Sequence, residues 1–325
     1  MKRRWLAGLA CATLVAGCTP AVVETSTGAP TSSTTGASPT PTPSPTLLAD
    51  EHLPLQFTVL TSLLSDADRV VRRLHQAAGQ LPVLRVDLTE DQATLTALLP
   101  TGGVVSYRWR DNQITHVDSD IQYLEQTTFD PADYPLESAE RMFDIADLRG
   151  VRGDLVLQIG EYGAGQVTMT ITSRPESGTV FFRRDGSAVA NLGTTSVADI
   201  TAGLAEVLGE AERAYGVGFN PVRGYWADLP DEPGVVLSRS RVGGVPVFET
   251  RRSESPTVAP FDPTLIRPAA LAKAIAQFQD SADEQCDVLI DMSQQRSAPV
   301  VRVDCGGTIR YTDLDGRDMT ALIEG

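Results

Sequence analysis

The sequence predicts an α+β fold built from tandem duplicated units, each with one helix and several antiparallel strands. Three observations predict it: helical apolar stripes recur, period-two strand segments follow them, and short motifs repeat at a shift of about 131 residues. Short connections between strands favour antiparallel meanders, and the stripe of each helix then covers one sheet face. We expect a first half at residues 51–193 and a second half at residues 194–325.

The residues ahead of these halves have the pattern of a bacterial lipoprotein precursor. A basic start at residues 1–4 precedes an apolar run at residues 5–17, which is shorter than the ~20 residues that span a bilayer. Residues 14–18 read Leu-Val-Ala-Gly-Cys and resemble the lipobox of bacterial lipoproteins. The resemblance implies that residues 1–17 are a signal peptide and that Cys18 carries a diacylglyceryl group. Such an anchor holds a chain at the extracytoplasmic face of the cell membrane.

A spacer is predicted between the anchor and the body. Residues 18–50 contain runs of Ser, Thr and Pro and offer too little apolar surface to fold. We expect this lipidated N-terminal segment to be disordered and semi-extended, with a reach on the order of tens of Å. A Ser/Thr/Pro run outside a cell is either O-glycosylated or an unmodified linker, and the sequence leaves both open.

The charge and composition exclude one class of partner. The net charge is −15, and removal of the signal peptide with Lys2, Arg3 and Arg4 changes it to about −18. Phosphate binding needs clustered cations, so the acidic excess argues against nucleic acid as a partner. Lysine is nearly absent while arginine is abundant, which resembles the composition of high-G+C actinobacterial proteins.

Two cysteines remain in the predicted body, Cys286 and Cys305. An even pair in an oxidising compartment usually forms a disulfide. The two strands that contain them place Cys286 opposite Cys305 if the turn is centred near Gln295 and Arg296. Closing a loop of this length stabilises a fold by about 3 kcal/mol. The metal alternative needs further ligands, and no histidine lies nearby in the sequence.

The proposed duplication rests on short motifs that recur in the same order. The pairs are Gly103-Val104-Val105 with Gly234-Val235-Val236, Phe129-Asp130-Pro131 with Phe261-Asp262-Pro263, Gly178-Thr179-Val180 with Gly307-Thr308-Ile309, and Asp185-Gly186 with Asp315-Gly316. The alternative is chance similarity between two α+β stretches.

The first helix of each half is predicted from capping signals. In the first half, Ser65 and Asp68 form a capping box and Gly79 is a stop signal. Its counterpart begins at Ser196, with Asp199 three residues later. The apolar stripes of this helix pair do not match in phase.

The second helix of each half gives a closer match. At a shift of 132 residues, one apolar stripe corresponds to the other: Ala139, Met142, Phe143 and Ala146 with Leu271, Ala274, Ile275 and Phe278. Pro268 suits the first turn of the later helix.

Alternating apolar residues predict the strands of each unit. The first unit has strands around residues 84–88, 93–97 and 105–109, and the second around 155–159, 167–171 and 180–182. The third unit is the least regular, because Asn220-Pro221 and Pro230–Pro233 interrupt it before strands at 235–241 and 245–250. The fourth unit contains the cysteine hairpin and residues 309–311.

The order of one helix and three strands, with an Asp-Gly turn before a final strand, resembles the PepSY-type modules of bacterial envelope proteins. The resemblance implies an extracytoplasmic role in binding proteins or modulating proteases. It rests on no specific motif, so no functional residue carries over.

No catalytic or cofactor motif is evident, and we expect no enzymatic activity, no cofactor and no metal site. His52, His75 and His116 lack ligand-spaced neighbours. The Asp313–Asp318 segment has part of a calcium-loop pattern, but its glycine is misplaced, and a hairpin turn is the favoured interpretation. Asp130 and Asp262 precede prolines and are interpreted as turn starters rather than as a catalytic pair.

Four aromatic residues are candidates for a ligand groove: Tyr107, Trp109, Tyr225 and Trp226. Tyr107 and Trp109 alternate with arginines, and the Tyr225-Trp226 pair is expected at the corresponding edge of the second half. Burial in the core is the favoured interpretation, and a groove lined by these rings is the functional alternative.

These observations predict a membrane-anchored extracytoplasmic lipoprotein that acts as a non-enzymatic binding or scaffolding module. Its partners would be the membrane, through the lipid, and either an envelope protein or a hydrophobic ligand. The alternative function is a carrier that holds a lipid or another hydrophobic ligand between helices and sheet. An apolar cavity of several hundred Å³ distinguishes the carrier.

Overall fold

A computed structural model describes residues 46–163, 165–281 and 283–325. The predicted signal peptide, the lipobox with Cys18 and the spacer up to residue 45 lie outside the described residues. No helix of the described part is both long enough and apolar enough to cross a membrane.

The described chain contains two antiparallel sheets and five short α-helices, which confirms the α+β class. The helices are α1 (Ala67–Ala77), α2 (Ala139–Leu148), α3 (Val197–Leu208), α4 (Pro268–Phe278) and α5 (Thr320–Ile323). The strands of the first sheet are β1 (Leu55–Gln56), β2 (Val83–Leu88), β3 (Gln92–Leu98), β4 (Val104–Arg110), β5 (Gln113–Val117), β6 (Asp154–Gly163), β7 (Gln166–Arg174) and β8 (Thr179–Phe182). Those of the second are β9 (Gly216–Asn220), β10 (Gly224–Pro230), β11 (Val235–Arg241), β12 (Phe248–Ser253), β13 (Cys286–Asp291), β14 (Val300–Cys305) and β15 (Thr308–Thr312).

The two sheets share one topology, as the predicted duplication requires. The first has the order β1-β5-β4-β3-β2-β6-β7-β8 and the second β12-β11-β10-β9-β13-β14-β15. The orders become identical when β1 is set aside. The prediction treated each helix and its strands as a separate meander, but in each half two meanders fuse, because β2 pairs with β6 and β9 with β13.

The repeated Phe-Asp-Pro motif performs the same structural task in both halves. Phe129 forms a β-bridge with Val83, and Phe261 forms one with Ala214. The following aspartate accepts a hydrogen bond from a backbone N–H two residues later, which starts a single-turn 3-10 helix at Pro131–Asp133 and at Pro263–Leu265. The motif therefore turns the chain from the sheet towards α2 or α4, as predicted for Asp before Pro.

The predicted capping signals give mixed results. Ser196 accepts a hydrogen bond from the Asp199 N–H and caps α3 as expected. The prediction for Ser65 is wrong: Asp66 precedes α1, and the Ser65 hydroxyl donates to Glu140 instead. A turn before the helix causes the difference, because the Ser65 N–H is bound to the hydroxyl of Ser62.

An apolar core lies between each sheet and its helices. The second-helix stripes lie as predicted, with Ala139, Met142, Phe143, Ala146, Leu271, Ala274 and Ile275 buried. Leu47 and Leu48, which fall in the predicted spacer, are half-buried against the first core. The Leu48 N–H donates to the Ala77 carbonyl at 2.9 Å, so the folded body includes these residues.

Cys286 and Cys305 form a disulfide, which confirms the predicted pair. They lie directly opposite each other in the β13–β14 ladder. Val288 faces Val303 and Ile290 faces Val301 in the predicted register. Gln295 has a φ of 53° in the connection, where the turn was placed.

The third unit is more regular than predicted. Asn220-Pro221 does not interrupt it, because the Asn220 side-chain carbonyl accepts hydrogen bonds from the N–H groups of Val222 and Arg223. These bonds close the tight turn between β9 and β10. Pro230 ends β10, and β12 begins at Phe248 rather than at Val245.

Candidate functional site

The four predicted groove aromatics are all buried, and they do not meet in one groove. Tyr107 and Trp109 lie in the first core, under α1. The Trp109 indole N–H donates to the Phe57 carbonyl at 2.8 Å, and the Tyr107 hydroxyl donates to the Leu48 carbonyl at 3.4 Å. These bonds fix the segment that precedes α1, so the two rings have a structural role.

Tyr225 and Trp226 point to opposite faces of the second sheet, since successive strand residues alternate. Tyr225 lies under α3 at Gly203, and its hydroxyl donates to the Gly193 carbonyl. Trp226 covers Gly218 on the other face and is 8% exposed. The guanidinium of Arg223 lies 4.2 Å from its ring centroid.

The predicted correspondence between the two aromatic pairs is wrong. The sheet registers align β4 with β11 at a shift of 132, so Tyr107 and Trp109 correspond to Arg239 and Arg241. The sequence motifs instead match Val105 with Val236, a shift of 131. This match is off by one residue, and an offset of one residue places every side chain of a strand on the opposite face of the sheet.

Arg241 is the centre of a polar junction between the two halves. Its side chain is fully buried and forms an ion pair with Glu206 of α3. Glu206 also accepts a hydrogen bond from Arg183, just after β8, at 2.7 Å. Burial lowers the pKa of Arg241 and Glu206 opposes that shift, so the guanidinium stays charged.

The segment from Arg183 to Ser196 links the halves and is bound by both of them. From the first half, Arg149 donates to the Val189 carbonyl at 2.7 Å. From the second half, Arg241 donates to the Ala190 carbonyl at 2.6 Å. With the Tyr225 bond to Gly193, these contacts hold the linker against both halves.

A cavity of about 510 Å³ lies beside this junction, and we call it the junction cavity. The cavity lies beyond the end of β8. There the first residues of β7 have no neighbouring strand on the β8 side. Its walls include Phe129, Tyr134, Val167, Phe182, Arg184 and Pro246, the last of which comes from the second half. Its size and mixed apolar and polar lining fall within the usual range for small-molecule sites.

Two of the polar groups in the junction cavity lack complementary partners. Tyr134 is 3% exposed, and the hydrogen of its buried hydroxyl has no acceptor among the described residues. The side chain that interacts with this hydroxyl is Arg184, which can donate to its oxygen but cannot accept from it. Burial raises the pKa of Tyr134, and Arg184 opposes this shift, so the hydroxyl is protonated at neutral pH. The guanidinium of Arg184 lies 5.4 Å from the Tyr134 ring centroid and forms no ion pair within the described part of the chain.

Two smaller cavities of about 160 Å³ occupy equivalent places in the two halves. One lies at the Arg85–Gly160 pair of the β2–β6 ladder, and the other at the Gly216–Asp291 pair of β9–β13. The segment between β5 and α2 covers the first of these cavities, and the segment between β12 and α4 covers the second. They are below the size of typical ligand pockets.

The largest of the four cavities described here, about 800 Å³, is acidic. Its lining carries Glu90, Asp91, Asp144, Asp147 and Asp154, together with two arginines. Across residues 46–163, 165–281 and 283–325, no three histidine, cysteine or carboxylate side chains are close enough to hold a metal ion.

None of the remaining candidates forms part of a site, and three of them have structural contacts. Asp313 accepts hydrogen bonds from the N–H groups of Asp315 and Arg317, as in a hairpin turn. His75 is bound to the Leu81 carbonyl at 2.8 Å, and His116 lies against the ring of Tyr107. His52 is exposed beside Glu51.

Sequence reasoning missed the junction cavity and its polar residues. Arg183 and Arg184 directly precede the Asp185-Gly186 turn, which was interpreted only as a duplication motif. An arginine pair that is absent from the matching place in the second half was the available signal, because its counterpart before Asp315-Gly316 reads Asp313-Leu314.

Comparisons with known proteins do not assign a family. No protein-family model and no curated protein matches the chain. Among solved structures, the crystal structure of the DNA polymerase III subunit beta from Pseudomonas aeruginosa aligns with 80% of this chain and 64% of that chain. The identity is 10% and the TM-score 0.13, and a likeness this low carries no argument about fold or function.

Proposed function

We propose that this protein is a lipid-anchored, non-enzymatic binding protein of the cell envelope, held at the extracytoplasmic face of the membrane through Cys18. The observation that carries the proposal is the polar junction at Arg241, Glu206 and Arg183, which joins two duplicated halves into one body. A rigid body of this kind presents a fixed surface, and fixed surfaces lose less entropy on binding than flexible ones. The membrane is a partner through the lipid alone.

The anchor is tested by metabolic labelling with a palmitate analogue in a host that processes lipoproteins. We expect the wild-type chain to incorporate the label and Cys18→Ala to lose it. Cys11→Ala is the matched control, because Cys11 lies inside the predicted signal peptide and leaves with it. Label that persists in Cys18→Ala would remove the anchor from the proposal.

The binding role is tested by native mass spectrometry of the protein released from its own envelope. We expect a protein partner in stoichiometric amount with the wild type and with Glu210→Gln, which changes an exposed acid near the end of α3. Glu206→Gln should lose the partner at a temperature where circular dichroism still shows it folded. A bare wild-type protein, or a partner that all three retain, would count against a surface that depends on the junction.

A carrier is the second candidate function, and the junction cavity favours it. Its volume of about 510 Å³ is sufficient for a small amphiphile. The four predicted groove aromatics do not line it, so the carrier no longer depends on them. A co-purifying amphiphile in the same mass spectra would favour the carrier over the scaffold.

A further inference from the structure

We infer that the junction cavity binds a small amphiphilic anion, with the apolar part along Phe129, Val167 and Phe182 and the anionic group at Arg184 and Tyr134. The inference deepens the carrier form of the proposed function and rests on it, because it names the ligand class and the polar contacts of that cavity.

The charge of the cavity is the first reason. The body carries a large acidic excess, yet the lining of the junction cavity holds two arginines, Arg183 and Arg184, and one carboxylate, Asp133. Two cations and one carboxylate leave one positive charge in the lining. Arg183 and Arg241 share Glu206, whereas Arg184 forms no ion pair within the described residues. An exposed, unpaired guanidinium beside a cavity is suited to an anionic oxygen, which it binds through two parallel N–H donors.

The Tyr134 hydroxyl is the second reason. A buried hydroxyl whose hydrogen has no acceptor is unfavourable, so natural proteins rarely leave one unless a ligand or water accepts from it. Its hydrogen is available because the raised pKa keeps the group protonated. The Arg184 guanidinium lies 5.4 Å from the centroid of the same ring and interacts with the hydroxyl oxygen, so the two groups lie together at one place in the cavity. The two donors would then converge on one acceptor group.

The apolar wall is the third reason. Phe129 and Tyr134 meet edge to face with their centroids 5.2 Å apart, and Val167 and Pro246 extend the apolar lining beyond them. Because Pro246 belongs to the second half, the wall is complete only when the halves are joined. The polar donors lie at one place in this lining, so the cavity distinguishes a ligand head from a ligand body.

The test compares two fluorescent probes of similar size. 8-Anilino-1-naphthalenesulfonate is an amphiphilic anion, and N-phenyl-1-naphthylamine is its neutral analogue. We expect both to bind the wild type. Arg184→Gln should weaken the anionic probe about five- to tenfold, as loss of a charge-assisted contact does, and leave the neutral probe unchanged.

Arg296→Gln is the matched control, since Arg296 is exposed and lies in the hairpin connection of the second half, outside the cavity lining. It removes the same charge and should leave both probes unchanged. Tyr134→Phe keeps the ring and should weaken the anionic probe about two- to threefold through the lost hydrogen bond.

The outcomes test the carrier function and the anionic class of its ligand separately. Binding of both probes with no difference between Arg184→Gln and Arg296→Gln keeps the carrier and overturns the anion assignment. Binding of neither probe to the wild type overturns both. Equal weakening of both probes by Arg184→Gln shows a loss of shape rather than of charge and also overturns the anion assignment.

Discussion

Trp109 and Arg241 occupy equivalent positions in the two sheets and differ in chemistry. Both are buried on the helix side of the sheet, and both donate to a backbone carbonyl in the segment ahead of the first helix of their half, Phe57 or Ala190. Trp109 needs no further partner, because an indole is neutral. Arg241 needs a carboxylate, and Glu206 supplies it while also binding Arg183 from the first half.

This difference shows how a duplicated fold can acquire a junction. In the first half the position holds a neutral side chain that packs in the core and makes one hydrogen bond. In the second half the position carries the charge of Arg241, which Glu206 of α3 neutralises. Glu206 also accepts a hydrogen bond from Arg183 of the first half. A buried ion pair adds little net stability compared with an apolar pair, but losing one member is costly. The junction therefore specifies how the halves meet.

The largest effect is expected from Glu206→Gln, which leaves Arg241 buried without its carboxylate. We expect a loss of about 4 kcal/mol in the free energy of unfolding, measured by urea denaturation. Trp109→Phe loses one hydrogen bond and part of a buried ring at the equivalent position, and should cost less, about 2 kcal/mol. If the two substitutions cost the same, the two positions do not differ as described.

A second variant checks the cause. Glu206→Gln combined with Arg241→Met should recover most of the lost stability, because an apolar side chain of similar length needs no carboxylate. Glu210→Gln, on the exposed part of the chain near the end of α3, should stay within about 0.5 kcal/mol of the wild type. A double variant no more stable than Glu206→Gln would contradict the charge explanation.

The disulfide gives the next largest effect. The cross-strand pair Cys286–Cys305 corresponds to Leu155–Ser173 in the first half, where no covalent bond is available. Cys286→Ala with Cys305→Ala should lose about 3 kcal/mol of unfolding free energy, as loop closure predicts. Dithiothreitol should lower the wild type to the same value and leave the double variant unchanged. A further loss in the reduced double variant would point to another reducible group.

The outer faces of the sheets differ at Gly218 and Trp226. The equivalent pair in the first half is Asp87 and Thr94, with no large ring. A Cβ at Gly218 would lie 2.7 Å from the Trp226 ring atom Cε2 and 2.6 Å from the Val288 carbonyl oxygen. We expect Gly218→Ala to cost about 2 kcal/mol through overpacking, measured by thermal unfolding.

Gly216 provides the control for that substitution. It lies on the same strand and face, and a Cβ there would meet only a Leu289 methyl at 4.0 Å. Gly216→Ala should therefore be near neutral. If Gly218→Ala is equally mild, Trp226 has room to move away, and its position does not require a glycine at residue 218.

The smallest effect is expected at Glu161 of β6, which binds the backbone of the segment between β5 and α2 and of the turn between β6 and β7. Glu161 accepts hydrogen bonds from the N–H groups of Thr127 at 2.5 Å and Gly165 at 3.0 Å, and these bonds lower the pKa of its carboxyl. The equivalent position in the second half is Met292, which cannot accept such bonds. The carboxylate stabilises the fold above the pKa of the unfolded chain, and this contribution is lost as the pH falls through the lower folded value.

We expect Glu161→Gln to reduce the free energy of unfolding at pH 7 by less than about 1 kcal/mol, because the group is partly solvated. The difference from the wild type should vanish at acidic pH, once the wild-type carboxyl is protonated. A urea titration repeated across the acidic range measures it. A difference that is independent of pH would assign the effect to packing instead of charge.

Much of the fold could be predicted from sequence, for local reasons. The Phe-Asp-Pro turns, the Ser196 cap and the cysteine register depend on residues close together in the chain, where hydrogen bonds and period-two spacing fix the outcome. The fusion of the meanders depends on β2 meeting β6, which are far apart in sequence, and alternation alone does not choose the neighbour of a strand.

The candidate site was the least predictable part. Tyr134, Arg184 and Pro246 are separated by up to 112 positions, and none belongs to a spaced motif. Their proximity depends on where β8 ends and how the second half docks there. The four aromatics had a visible pattern, but a ring on a strand looks the same in sequence whether it is buried or lines a groove.

The sequence by itself determined the α+β class, the twofold repeat of its units and the cysteine pairing, because periodicity, turn residues and compartment are written locally. It also predicts the anchor at Cys18, which lies outside the described residues. Only the tertiary structure decided that Arg241 replaces Trp109, that the linker is held by both halves, and that a cavity lies beside their junction. These features depend on long-range register, and a shift of one residue in a strand reverses which side chains face the core.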